Sequence, residues 1–117
     1  MKTRTEQDSL GRKTVPAEAY YGLQTVRAQE TFPISGLRAH PRFIEAYALV
    51  KKAAATVNGK LGLISPEVSA AIVQAAEEVR SGGLREQFIV DVFQMGAGTS
   101  FHMNVNEVLA NRAIELL

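Results

Sequence analysis

Phe43-Ile44-Glu45-Ala46-Tyr47-Ala48-Leu49-Val50-Lys51-Lys52-Ala53-Ala54-Ala55-Thr56-Val57-Asn58-Gly59-Lys60-Leu61 is the stretch that decides the fold. Phe43, Tyr47, Val50, Ala54, Val57 and Leu61 recur at steps of four and three, a spacing that places them on one stripe of a helix. Ala53-Ala54-Ala55 has high helix propensity and little volume, so a second helix can approach closely. Gly59 and Gly62 mark the end. That second helix starts at Ser65-Pro66, an N-cap followed by the proline that suits the first helical position, with Glu67 at the positive end of the dipole. Val68, Ile72, Ala75 and Val79, widened by Ala71, form its apolar stripe, and Ser81-Gly82-Gly83 ends it. Two helices joined by a short glycine-containing link read as an antiparallel αα-hairpin. Lys51-Lys52 and Glu77-Glu78 lie off the stripes and read as solvated faces.

Upstream, residues 1–16 are polar. Thr3, Thr5 and Thr14-Val15 suggest short extended pieces about a turn at Gly11. Pro16 to Tyr21 suggests the start of a helical turn, interrupted by Gly22, and Gln24 to Thr31 a short helix stopped by Pro33. Ile34 to Pro41 is a loop. Downstream, Leu84 to Met95 connects to Gly96-Ala97-Gly98-Thr99-Ser100, and a helix runs from Phe101 to the end. Phe101, Val105, Leu109, Ala113 and Leu116 share one face of it, while Met103, Ala110, Ile114 and Leu117 share another. A helix apolar on two faces expects burial on both, and no Gly, Asn or Pro closes it, so the pattern implies that it continues or docks outside the 117 residues. The fold class expected is all-α, with a short irregular or extended N-terminal segment.

Composition bounds the function. Hydrophobic residues make up 46% and charged residues 21%, a globular balance. Thirteen Lys+Arg against twelve Asp+Glu give a net charge of +1, no reason to invoke nucleic acid or an anionic membrane. The absence of cysteine excludes disulfides, a thiolate nucleophile and Cys-ligated metals. No apolar run reaches the ~20 residues of a membrane span, and Met1 to Asp8 lacks a secretory pattern, so a cytoplasmic domain is expected.

Gly96-Ala97-Gly98-Thr99-Ser100 is the chief chemical candidate. Glycines admit a ligand close to the backbone, and Thr99 or Ser100 would cap the following helix. Free N–H groups, the positive dipole end and two hydroxyls make an anion site without formal charge. No lysine follows, so it is not a Walker A loop. An ordinary capped glycine loop has the same sequence. Of the two histidines, His40 reads as solvated, and His102, near the candidate loop, as a surface or capping residue or as a proton-transfer group; they form no metal constellation. Arg27, Arg38 and Arg42 are candidate carboxylate clamps or simple solvated charges. Asn104, Asn106 and Asn111 with Glu107 are unusual in one helix and imply polar packing or a site.

Tyr20-Tyr21-Gly22-Leu23-Gln24-Thr25-Val26-Arg27-Ala28, Glu30 to Gly36, Val50 to Ala54, Gln87 to Ser100 and Met103 to Ala113 together resemble aspartate ammonia-lyases of the aspartase/fumarase superfamily over nearly the whole chain. The Asn106-Glu107-Val108-Leu109-Ala110-Asn111-Arg112 run is shared with class II fumarases, while Tyr20-Tyr21-Gly22 and Gly96 to Ser100 resemble the aspartase form. The resemblance implies reversible elimination of ammonia from L-aspartate to give fumarate; no cofactor and no metal ligands are expected among these residues. A serine base removes a proton beside the β-carboxylate, and hydroxyl and N–H donors hold the resulting aci-carboxylate. It further implies that Thr99 binds that carboxylate, with Ser100, Gly98 and Arg27 as companions. His102 and Met95 depart from the usual residues and flank the loop.

No Gly-Ser-Ser-x-x-Met-Pro-x-Lys-x-Asn loop, which carries the base in the family, occurs in the sequence. Residues 1–117 therefore read as an N-terminal lyase domain of a longer subunit. Its catalytic base, central helical bundle and C-terminal domain are expected elsewhere, and the resemblance implies a homotetramer with composite sites. Two rivals stand beside this reading: a class II fumarase or related lyase, and a non-catalytic helical interaction module.

Overall fold

The computed structural model describes residues 1–117. Its elements run β1 (Thr3–Asp8), β2 (Gly11–Pro16), α1 (Leu23–Thr31), α2 (Pro41–Lys60), α3 (Pro66–Arg80) and α4 (Thr99–Leu116), with a 3₁₀ turn at Arg85–Gln87. The fold is helical with one small hairpin, as expected. The polar N-terminus is regular: β1 and β2 pair antiparallel, Thr3 with Pro16 through Asp8 with Gly11. Pro16 to Tyr21 forms a turn closed by Ala19 N–H on the Pro16 carbonyl, not a helix. No helix is long and apolar enough to cross a membrane.

The αα-hairpin forms as its sequence dictates. Ser65 Oγ accepts from Val68 N–H at 3.2 Å, with Pro66 opening α3 and Glu67 in its first turn. α2 ends in a Schellman motif: Leu63 N–H reaches the Asn58 carbonyl at 2.9 Å, and Gly62 N–H reaches Gly59 at 3.1 Å. Gly62 sits at φ 74°, where a side chain would be strained. Antiparallel contact follows from Ser69 Oγ on the Ala55 carbonyl (2.9 Å) and Lys52 Nζ on Glu77 (3.0 Å).

The face of α2 that meets the core is not the expected stripe. Ile44, Ala48 and Ala55 are buried, while Phe43, Val50, Val57 and Leu61 are exposed. The reason is close approach: α3 presents Ala71, Ala75 and Ala76, so small residues fill the interface and the bulkier stripe is displaced outward. Nor are the charges beside it free. Lys52 pairs with Glu77 across α2 and α3, and Glu78 with Arg112 of α4 at 2.8 Å. α4 matches its pattern better. Phe101, Val105, Leu109 and Ala113 are buried together with Val108, packed on Val79, Phe88 and Val90, while Ile114 and Leu117 of the second face are exposed.

Candidate functional site

Three segments far apart in sequence meet at one cleft of about 350 Å³. The hairpin tip supplies Asp8, Ser9 and Leu10; α1 supplies Gln24, Arg27, Ala28 and Thr31; the start of α4 supplies Thr99, Ser100 and Met103. Arg27, Thr99 and Ser100, singled out from the sequence, thus share a cleft; Gly98 stands just before its edge as the residue preceding α4.

The loop is built differently from the sequence expectation. Gly98, not Thr99 or Ser100, is the N-cap of α4, and it makes no side-chain cap. It lies at φ 77°, in the left-handed region that favours glycine. The cap is supplied from a distance: Gln94 Oε1 accepts from Phe101 N–H at 2.8 Å. The reason is geometric. With Gly98 turning the chain into the helix, the hydroxyls of Thr99 and Ser100 already belong to the first turn, past the position from which an N-cap side chain reaches back. The Thr99 and Ser100 N–H groups find no acceptor within the chain. Two residues with unengaged backbone N–H groups and a hydroxyl each, at the positive end of an 18-residue helix, therefore line the cleft.

Arg27 is already engaged. Its Nη1 pairs with Asp8 Oδ2, and its Nη2 donates to the Gly11 carbonyl at 3.2 Å. The pairing holds the Asp8 carboxyl below its usual range and raises the guanidinium. Glu107 reaches across from α4 to the start of α1. Its carboxylate accepts from Gln24 N–H (3.1 Å), Thr25 N–H (2.9 Å) and the buried Thr25 hydroxyl (2.5 Å). Glu6 Oε1 takes Leu23 N–H at 3.0 Å, so carboxylates satisfy the first turn of α1. A Cβ on Gly22 would collide with both carboxylates, which explains glycine there.

The asparagines resolve into polar packing. Buried Asn104 clamps the connector by accepting from Ile89 N–H at 3.0 Å and donating to the Gln87 carbonyl at 2.9 Å. Asn111 donates to the Tyr20 carbonyl at 2.6 Å. Asn106 Nδ2 lies 3.2 Å from His102 Nε2, itself 2.6 Å from Lys51 Nζ, so His102 faces α2 rather than the cleft. Burial lowers the Lys51 pKa, against its reading as a solvated charge. His40 caps α2, its Nδ1 accepting from Arg42 N–H at 3.1 Å.

Sequence reasoning did not single out Asp91. It accepts from Ser35 N–H and Oγ, Gly36 N–H and Phe93 N–H at 2.7–2.8 Å, which holds its pKa at about 2 and pins the 34–38 loop to the connector ahead of the glycine loop. The only signal in the sequence was its place inside the apolar run Phe88 to Phe93. No group of three or more His, Asp or Glu side chains is placed to hold a metal ion.

Comparison with known proteins fits this architecture. A family model described as lyase matches residues 11–117. An aspartate ammonia-lyase from a Bacillus species is 55% identical over 97% of the chain and 24% of the relative. A class II fumarate hydratase from Halobacterium salinarum is 60% identical over the same shares. The crystal structure of a fumarate lyase/delta crystallin from Brucella melitensis superposes with a TM-score of 0.96 at 53% identity, covering 99% of this chain and 26% of that one. The chain thus spans about a quarter of the length of the relatives it matches. Matched along nearly all its length in both sequence and fold, the chain belongs to the lyase family, within the aspartase/fumarase superfamily.

Proposed function

We propose that residues 1–117 form the N-terminal domain of a longer lyase subunit, and that the Thr99–Ser100 cleft binds one carboxylate of a four-carbon dicarboxylate undergoing elimination to fumarate. The observation that carries this reading is the pair of unengaged α4 amides beside two hydroxyls at a helix N-terminus. As a proton leaves the carbon next to a carboxylate, charge accumulates on the carboxylate oxygens. Neutral donors fixed in advance stabilise that charge without reorganising. The base and the remaining donors come from elsewhere in the subunit or from neighbouring subunits of a tetramer.

Within that chemistry the leaving group is ammonia and the substrate L-aspartate. The Gly96-Ala97-Gly98-Thr99-Ser100 form and the Bacillus relative support it. The second reading, hydration of fumarate, has the 60% identity of the Halobacterium relative in its favour. Fumarate formation from L-aspartate and from L-malate, followed by absorbance in the full-length enzyme, separates them. Aspartate is expected to exceed malate in kcat/KM by about 10²-fold; the opposite order establishes the second reading. Thr99→Ala is expected to lower kcat/KM by about 10²-fold, the scale of one lost oxyanion donor. A change below about threefold removes Thr99 from the site.

A further inference from the structure

We infer that Arg27 and Asp8 act together as a positioning pair that holds the hairpin tip as one wall of the Thr99–Ser100 cleft, and that Arg27 does not itself clamp the substrate. The inference rests on that cleft being the substrate site. Its grounds are separate: what the guanidinium touches, and what charge surrounds it.

Arg27 grips both strands of the tip at once. One terminal nitrogen meets Asp8 at the end of β1, and the other meets the Gly11 carbonyl at the start of β2. The second oxygen of the same Asp8 carboxylate accepts from Leu10 N–H at 2.9 Å and closes the turn between them. Ser9 and Leu10 are therefore held over the cleft from α1 by a single side chain. Both partners are largely withdrawn from solvent, at 23% and 26% side-chain exposure. A bare arginine clamp needs unspent positive charge. Here Asp8 neutralises it at contact, Glu107 and Glu30 add negative charge to its field, and the nearby Lys13 is paired with Glu30. An incoming dicarboxylate meets no net positive field at Arg27. It meets unengaged donors at the α4 amides, while the one carboxylate in the cleft, Asp8, is held by Arg27.

The two roles predict opposite results for Asp8. If Arg27 were the clamp, removing Asp8 would free the guanidinium and KM would fall or hold. If the pair positions the wall, removing either partner loosens the same tip, and removing both adds little further. In the full-length enzyme, Asp8→Ala and Arg27→Ala are each expected to raise KM about tenfold with kcat within about twofold. The double variant should be no worse than about twice either single, and Asp8→Glu, which keeps the pair, should restore KM to within about threefold. Amide exchange offers a readout independent of turnover. The Leu10 N–H should exchange faster in Arg27→Lys and Asp8→Asn while α2 and α3 keep their protection, which also shows that these variants fold.

Arg27→Ala raising KM while Asp8→Ala leaves it unchanged or lower overturns the proposal, as do additive singles or unaltered Leu10 exchange. Thr99→Ala distinguishes the two levels. If it is silent, the cleft is not the substrate site; if it is damaging while the Asp8 variants are silent, the positioning pair alone fails.

Discussion

Glu107→Ala is the most searching test of how the chain is assembled. The Glu107 carboxylate collects three donors at the start of α1: Gln24 N–H, Thr25 N–H and the Thr25 hydroxyl. Gln24 is exposed, so water replaces its bond at little loss. Thr25 is fully buried, and both of its donors would be stranded. A buried donor left unpaired costs about 1–3 kcal/mol, so the variant should lose about 3 kcal/mol. Glu107→Gln keeps one acceptor oxygen but forfeits the charge at the helix N-terminus, and should lose about 1.5 kcal/mol. Urea unfolding of the 117-residue chain, followed by far-ultraviolet circular dichroism, reads both. With a slope of about 1.5 kcal/mol per molar urea, the alanine midpoint falls by about 2 M. A double-mutant cycle with Thr25→Ala should show coupling of about 1 kcal/mol or more. Losses under about 1 kcal/mol for the alanine variant, or strict additivity with Thr25→Ala, would refute Glu107 as the cap of α1.

Three further outcomes are expected. The N–H donors of Phe93, Ser35 and Gly36 hold the Asp91 pKa at about 2, below the usual carboxylate range. Its contribution to stability is therefore present above about pH 4 and lost as pH falls towards 2; the acid limb of a Tm-against-pH profile should flatten in Asp91→Asn, and an unchanged limb counts against the clamp. Gly98→Ala places a side chain at φ 77° where its Cβ meets nothing, so its loss of about 1–2 kcal/mol is conformational, and Gly98→Asn should be milder; equal losses in thermal melts would contradict this. Asn104→Leu strands Ile89 N–H and the Gln87 carbonyl and should destabilise by about 2–3 kcal/mol in urea, a loss below about 0.5 kcal/mol being incompatible with the clamp.

The elements most legible in the sequence are those whose signals are local. Ser65-Pro66-Glu67 states a helix start within three residues, and the core face of α4 repeats over four turns. The buried side of α2 was not legible, because apolar residues surround that helix and the largest of them mark the wrong stripe. Burial was decided instead by which side α3 could approach closely. At the site, the glycine loop was legible as a candidate because small residues precede a helix. Its cap was not: Gln94 reaches Phe101 from outside the helix, and local pattern favoured Thr99. The partnership of Arg27 with Asp8 joins a strand to a helix 19 positions away, and no spacing rule encodes it.

Two of the polar side chains that α4 sends to earlier segments also bear on how the chain is made. Glu107 reaches back 82 positions to Thr25, and Asn111 reaches back 91 positions to Tyr20. Residues 20–25 thus take anchoring contacts from a helix that is synthesised 82 to 91 positions after them. During synthesis the α2–α3 hairpin has its partners at hand, whereas the start of α1 and the turn before it wait for α4, a long loop closure that slows completion of the fold. Nascent chains halted before residue 104 should therefore protect the hairpin helices but leave residues 20–31 open to protease.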